Sequence, residues 1–328
     1  MTAAPLLPAR RPRVIGIVNI TEDSFSDGGR YLAPADAVRH ARRLHTEGAD
    51  IIELGAAASH PDSRPVTAAE EQQRLAPVLG QLLADGMPLS VDSFQPATQR
   101  FALSCGAAYL NDIQGFPDPA VHAALASSAC RLIVMHSVQR TGPATRMITD
   151  PEMIMDHIDR FFTARLAALQ AAGISRDRLI LDPGLGYFLG STPGPSLAAL
   201  AGISDLRARF GLPVLVCPSR KSFLRALTGK DDTARAGPAS LAAEIFAAWQ
   251  GADYIRTHDV AALHDAITIL DAIANRCSQP CPDSTGVPHR SRVAPGTRHA
   301  APPPVAGQPQ PGKQNPSRQP ARGNSSAS

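Results

Sequence analysis

The sequence predicts a single (β/α)8 TIM barrel. Three observations carry that expectation. About eight short runs rich in Val, Ile and Leu recur between residues 14 and 258, a longer amphipathic stretch follows each, and a Pro/Gly/Ser-rich segment takes over after residue 277. Strands buried on both faces, as in an all-parallel sheet, read as continuous apolar runs. Repeated strand-then-helix units of this size indicate a closed barrel with helices outside. A doubly wound open sheet is the alternative. It would usually carry a Gly-x-Gly-x-x-Gly fingerprint, which this sequence lacks.

The expected strands lie at 14–20, 50–55, 89–93, 109–113, 132–137, 179–184, 213–219 and 254–258. The expected helices lie between and after them, at 34–46, 67–84, 96–104, 118–126, 151–172, 195–210, 238–250 and 260–275. Thr67 with Glu70 three residues on forms a capping-box pattern, and Pro151 suits a first helical turn after Asp150. Gly48, Gly173, Gly211 and Gly251 each stand where a helix must end in a left-handed residue before the next strand.

The barrel is assigned to residues 13–277, with an extension at 1–12 and a tail at 278–328. The tail holds the run Pro302-Pro303-Pro304 and no apolar period, so it is expected to be disordered. It also accounts for the basic balance of the chain. The net charge is +3, but six basic residues and one acid fall in the tail, leaving 26 basic against 28 acidic residues before it. A nucleic-acid-binding face is therefore not expected on the folded part. Five scattered cysteines make no disulfide framework; Cys105, Cys130 and Cys217 sit in apolar contexts and are expected in the core. With no 18-residue apolar run and no signal-peptide pattern in the first dozen residues, no membrane partner and a cytoplasmic location are expected.

Active sites of such barrels lie at the C-terminal ends of the strands. Here those ends are polar almost without exception. They read Asn19, Glu53, Asp92, Asn111-Asp112, His136, Asp182-Pro183-Gly184, Ser219-Arg220-Lys221 and Arg256-Thr257-His258. One Asp after a strand is commonly a helix cap, but a whole ring of such groups points to a shared site. Asp92, Asn111, Asp182 and Lys221 together supply acceptors and donors for a flat, nitrogen-rich heterocycle such as a pterin. Arg256 and His258 are two apart on a strand and point to one face, which suits a phosphate or pyrophosphate; a structural ion pair is the alternative. The stretch 19–29, dense in carboxylates and ending Gly28-Gly29, reads as a mobile loop over the site. It would place Asn19 where Mg²⁺ wants oxygen ligands.

These residues resemble the dihydropteroate synthases. The likeness covers about 13–275 and rests on Gly16-Ile17-Val18-Asn19-Ile20-Thr21-Glu22-Asp23-Ser24-Phe25-Ser26-Asp27-Gly28-Gly29, Ser90-Val91-Asp92-Ser93, Asn111-Asp112-Ile113, Leu181-Asp182-Pro183-Gly184, Ser219-Arg220-Lys221-Ser222 and Arg256-Thr257-His258-Asp259. The resemblance implies that Asp92, Asn111, Asp182 and Lys221 hold the pterin. It implies that Asn19, Arg256 and His258 bind pyrophosphate, with Asn19 near the Mg²⁺ cofactor. Asp27, Lys221, Arg256 and His258 are then the candidate catalytic residues. Ser59, His60, Pro61, Tyr187, Phe188 and Ser219 would frame the p-aminobenzoate pocket. The implied partners are these two small substrates and a second copy of the chain, as a homodimer.

Two stretches depart from the family pattern. Where Glu-Ser-Thr-Arg-Pro is usual the chain reads Ala57-Ala58-Ser59-His60-Pro61, with Arg64 nearby; where Gly-Phe-Gly-Lys is usual it reads Gly186-Tyr187-Phe188-Leu189. Both are similar to the sulfonamide-insensitive subgroup, in which a bulkier wall would exclude the tetrahedral sulfonyl group. A pterin-binding methyltransferase domain and a non-catalytic pterin-binding paralogue are the alternatives. The first needs neither a pyrophosphate-binding pair nor Mg²⁺.

Overall fold

The computed structural model describes residues 11–21, 33–139, 141–229 and 236–277, all within a compact unit that ends at Pro280. The loop residue Asp27 and the tail 278–328 lie outside the described residues.

Eight parallel strands run β1 (Arg13–Asn19), β2 (Ile51–Gly55), β3 (Leu89–Asp92), β4 (Tyr109–Asp112), β5 (Arg131–Met135), β6 (Leu179–Asp182), β7 (Leu215–Val216) and β8 (Tyr254–Thr257). Their order in the sheet is β6-β5-β4-β3-β2-β1-β8-β7. The ends of the sheet meet where Leu181 bridges Val214 and the Leu181 N–H donates to the Pro213 carbonyl at 2.9 Å. The fold is the expected TIM barrel. β7 is two residues long rather than seven, because only its start finds a ladder partner on β8.

The strands are apolar on both faces for two different reasons. Outward residues such as Val14, Leu54, Val91 and Leu132 join the large core under the helices. Inward residues close the base of the barrel with Ile15, Ile51, Ile133, Ile180 and Leu215, beside the rings of Tyr109 and Tyr254. Arg13 plugs that layer, donating to the Tyr109 hydroxyl at 2.7 Å.

The helices are α1 (Pro34–Thr46), α2 (Ala68–Ala84), α3 (Pro96–Cys105), α4 (Pro119–Ser127), α5 (Ile154–Ala171), α6 (Pro193–Ala201), α7 (Ile203–Phe210), α8 (Ser222–Thr228), α9 (Gly237–Trp249) and α10 (Val260–Cys277). Thr67 and Glu70 form the expected capping box on α2. Asp150 caps the short 3-10 turn Pro151–Met153 that leads into α5. The four helix-ending glycines all adopt positive φ, between 60° and 107°.

Three expectations need correction. The helix expected at 195–210 is two helices broken at Gly202, where a Cβ would lie 2.5 Å from the Met155 methyl carbon. α8 was not expected at all; its turn buries Phe223 and Leu224 directly after the Ser219–Lys221 strand end. Cys105 is half-buried at the end of α3 rather than in the core. No described helix is long and apolar enough to cross a membrane.

Candidate active site

Side chains on a strand alternate faces, so the inward residue two positions past each base-layer residue forms the next layer up. That layer changes character. Ile51 gives way to Glu53, Tyr109 to Asn111, Ile180 to Asp182 and Tyr254 to Arg256. Arg256 Nη1 donates to Glu53 Oε1 at 2.5 Å, and the Ser90 hydroxyl donates to Glu53 Oε2 at 3.0 Å. Both charged residues are buried. Burial pulls the Arg256 guanidinium down, but Glu53, then Cys217, Asp92 and Asp182, outweigh it and hold the group well above its ordinary range. Its Nε has no partner among the described residues.

Above this layer opens a cavity of about 330 Å³, within the size range of small-molecule sites. Asp92, Lys221, Arg256, His258, Asn19 and Ser219 all line it, together with Glu53, Arg220 and Arg225. Asp92 is pushed up to about 8, by desolvation first and then by the charge of Glu53. Lys221 holds its ammonium 5.1 Å from the centre of the Phe188 ring. His258 rests on Ser219, whose hydroxyl lies 3.0 Å from Nδ1 and accepts from the His258 backbone N–H at 3.2 Å. Enclosure in the mouth, then Arg220, Lys221 and Arg256, hold the His258 imidazole well below its usual range. It is neutral at physiological pH.

Asn111 and Asp182 belong to the same inward layer as Glu53 and Arg256 but do not line the cavity. Asn111 is β-register partner to Asp92, fully buried, and neither its Oδ1 nor its Nδ2 has a partner among the described residues. Buried amides are paired as a rule, so Asn111 is a candidate ligand contact. Asp182 accepts from the Gly184 N–H at 2.8 Å, and burial raises its carboxyl. Gly184 has φ +74° and a Cβ there would meet the His136 carbonyl at 2.4 Å, so the Asp-Pro-Gly turn needs its glycine. Asp112 does something else: it takes N–H groups from Gln114 and Phe116 and the Gln99 amide, holding the β4–α4 turn.

The rim is built from three loops. The Ala144 N–H donates to the Ser59 carbonyl at 3.0 Å, and the Val138 N–H to the Phe188 carbonyl at 2.9 Å. Arg146 makes a two-pronged ion pair with Asp62 and lies 5.7 Å from the Tyr187 ring centre. Phe188 packs with Ile113, Met135 and Ala144, and Tyr187 flanks them. Ser59, His60, Pro61, Tyr187 and Phe188 all line the cavity here. Arg64 pairs instead with Glu70 at the start of α2, and Arg146 brings a guanidinium to this part of the rim. Arg146 lies in an aperiodic loop and carries no signal in the sequence. The Glu53–Arg256 pair does carry one: an acid on β2 and an arginine on β8, both inward by parity.

Residues 15–258 match the pterin-binding enzyme family. The chain is 58% identical over 260 residues to a dihydropteroate synthase type-2 of Escherichia coli, covering 79% of this chain and 95% of that protein. The chain belongs to the dihydropteroate synthases. Solved relatives agree with that family. A Xanthomonas albilineans dihydropteroate synthase with 4-aminobenzoic acid superposes with a TM-score of 0.74 at 37% identity, over 82% of this chain and 94% of that one. The same organism's dihydropteroate synthase in complex with 7,8-dihydropteroate gives 0.69 at 34% identity, over 84% and 96%.

Asn19 is the residue here whose oxygen could serve a hard cation. Asn19 offers a neutral oxygen at the cavity wall beside Gly55, and no cluster of three or more His, Cys, Asp or Glu that could hold a metal occurs among the described residues. Mg²⁺ commonly takes one or two protein oxygens and completes its shell from phosphates and water.

Proposed function

We propose that this cavity condenses 6-hydroxymethyl-7,8-dihydropterin pyrophosphate with p-aminobenzoate, giving 7,8-dihydropteroate and pyrophosphate. One observation carries the assignment of residues: a single cavity has three chemically different walls, one for each part of the reaction. Asp92, with its register partner Asn111 beside it and Asp182 on β6, would face the pterin's amino and ring N–H groups, and Lys221 would supply a donor for its acceptor atoms. Arg256, His258 and Asn19 take the pyrophosphate. Ser59, His60, Pro61, Tyr187, Phe188 and Ser219 frame the flat aryl amine. The bound 4-aminobenzoic acid and 7,8-dihydropteroate of the Xanthomonas relatives support both ligands.

In the reaction the methylene carbon–oxygen bond breaks, and its electron pair leaves on pyrophosphate. The amine nitrogen then bonds to that carbon and loses a proton. Arg256 and His258 stabilise the charge that grows on the leaving oxygen. Loop closure over the site would keep water from the electrophilic carbon. When bound at Asn19, Mg²⁺ would add a further positive charge on the pyrophosphate. Asp27 belongs to the loop proposed to cover this step.

The Tyr187–Phe188 wall is proposed to make the enzyme insensitive to sulfonamides. The test is turnover by purified protein with both substrates and Mg²⁺, with and without sulfamethoxazole. Equal amounts of dihydropteroate and pyrophosphate, persisting under the drug, are expected; a sub-micromolar inhibition constant would overturn the insensitivity. The homodimer is proposed to form over α6, α8 and α9, where Leu197 and Leu227 are exposed beside an apolar groove. Light scattering of the L197E/L227E variant should show a monomer.

A further inference from the structure

Behind Ser219 lies a buried carboxylate that the proposed chemistry does not use. Glu244, on α9, is 2% exposed, and its Oε1 has no hydrogen-bond partner among the described residues. The hydroxyls of Thr257 and Ser219 face it from the strand ends, and Asp259 and Arg220 are the charged groups around it. The Thr257 oxygen already accepts from the Asp259 N–H at 3.1 Å, and the Ser219 oxygen from the His258 N–H at 3.2 Å. Each hydroxyl therefore has a proton to give. The Ser219 hydroxyl thus lies 3.0 Å from His258 Nδ1 and also neighbours the Glu244 carboxyl.

We propose that Glu244 is a positioning residue that sets the tautomer of His258 through the Ser219 hydroxyl. As a carboxylate, Glu244 draws the Ser219 proton. The serine oxygen then accepts from Nδ1–H, and Nε2 presents a lone pair to the cavity. As a neutral acid, Glu244 donates to Ser219, and Ser219 donates to Nδ1. Nε2 then carries the proton that a phosphate oxygen needs. His258 itself stays neutral, held down by enclosure and by Arg220, Lys221, Arg256 and, from α1, His40. Its tautomer, not its charge, is the variable. Burial pushes the Glu244 carboxyl up to about 7, with Asp259 adding and Thr257, Arg220 and Ser219 opposing. The exchange thus falls near neutrality, and the anion site weakens as pH rises through it.

The inference rests on the assignment of His258 to pyrophosphate, and two readouts separate them. The first is calorimetric titration of inorganic pyrophosphate into full-length wild type and Glu244→Gln, from about pH 5.5 to about pH 8.5. Pyrophosphate's own titration cancels in the ratio of the two proteins. That ratio should change by about tenfold across the range, wild type weakening relative to the variant at high pH. Parallel curves overturn the proposal. The second is the ¹⁵N signature of His258 in ligand-free wild type, which also serves if the variant does not fold. It should pass from Nε2–H to Nδ1–H near neutrality, and a pH-independent tautomer overturns the coupling. Absence of pyrophosphate binding in both proteins would sink the phosphate assignment, leaving the ¹⁵N result to decide the coupling.

Discussion

The floor and the rim of the cavity are held by different physics. Floor residues are fixed by strand parity and ladder register: Asp92 pairs with Asn111, and Met135 with Asp182, in continuous parallel ladders. Their charges are buried and must be matched, as Glu53 matches Arg256. The rim is loops, tied by a few main-chain bonds and by the exposed Arg146–Asp62 pair. Change at the floor disturbs the barrel itself. Change at the rim alters only what fits there. The two departures from the family pattern both lie on the rim, where the fold tolerates them.

The largest effect that tests this contrast is Glu53→Ala. It would strand the buried Arg256 guanidinium, and removing one partner of a buried pair costs about 3–5 kcal/mol. Urea unfolding should show that loss; a change under about 1 kcal/mol would mean the floor is less dependent on the pair than argued. Next comes Gly184→Ala. It combines a left-handed backbone, φ +74°, with a Cβ placed 2.4 Å from the His136 carbonyl. A stability loss of about 1–3 kcal/mol is expected from the backbone conformation, with weaker pterin binding as the turn holding Asp182 shifts. Retained pterin affinity would detach that turn from the site.

The same contrast decides what the sequence could reveal. The barrel was legible because eight apolar runs and their helices repeat, and the floor because inward polar residues such as Asp92 and Arg256 interrupt those runs. Where ladder and packing compete, the reading failed: β7 shrank, and α8 arose from Phe223 and Leu224, which a seven-residue helix buries without showing a long period. Arg146 was invisible for a related reason. Its partner Asp62 is 84 residues away, and no periodic pattern links two loops that meet only over the cavity. Glu244 was hidden inside a helix whose other residues read simply as Ala-rich and amphipathic.

Protonation offers a test confined to the floor. Burial and Glu53 raise Asp92 from 3.8 to about 8. Between those values the folded protein keeps a proton that the unfolded chain has lost, so this group's contribution to stability falls as pH rises. Pterin binding works the other way, because the ligand's N–H groups favour the carboxylate. Below pH 8, binding of 6-hydroxymethyl-dihydropterin without its pyrophosphate should release a proton. Affinity should strengthen by about tenfold per pH unit and then level off. Calorimetry in buffers of different ionisation enthalpy reads both quantities, and Asp92→Asn should abolish the slope. A flat profile in wild type would remove Asp92 as the pterin's carboxylate.

The smallest effect is expected at the rim. Arg146 is exposed, paired with Asp62 and set against Tyr187, so Arg146→Ala should leave the unfolding midpoint unchanged. Exposed pairs contribute about 0.2–1 kcal/mol, which sets the scale for any loss of loop order. KM for p-aminobenzoate should rise by about two- to fivefold with kcat and pterin affinity intact. Asp62→Ala separates two ways in which the guanidinium could act. If Arg146 merely ties the loops after β2 and β5 together, removing either partner has the same effect and the double variant adds nothing. If it meets the substrate carboxylate, Arg146→Ala is the more damaging by about tenfold, since a charge-assisted hydrogen bond to the ligand is lost as well. Equal losses in the two single variants would make the rim a positioning device. Unequal ones would give the second substrate its own cation on the surface loop, apart from the buried Arg256 proposed for the pyrophosphate.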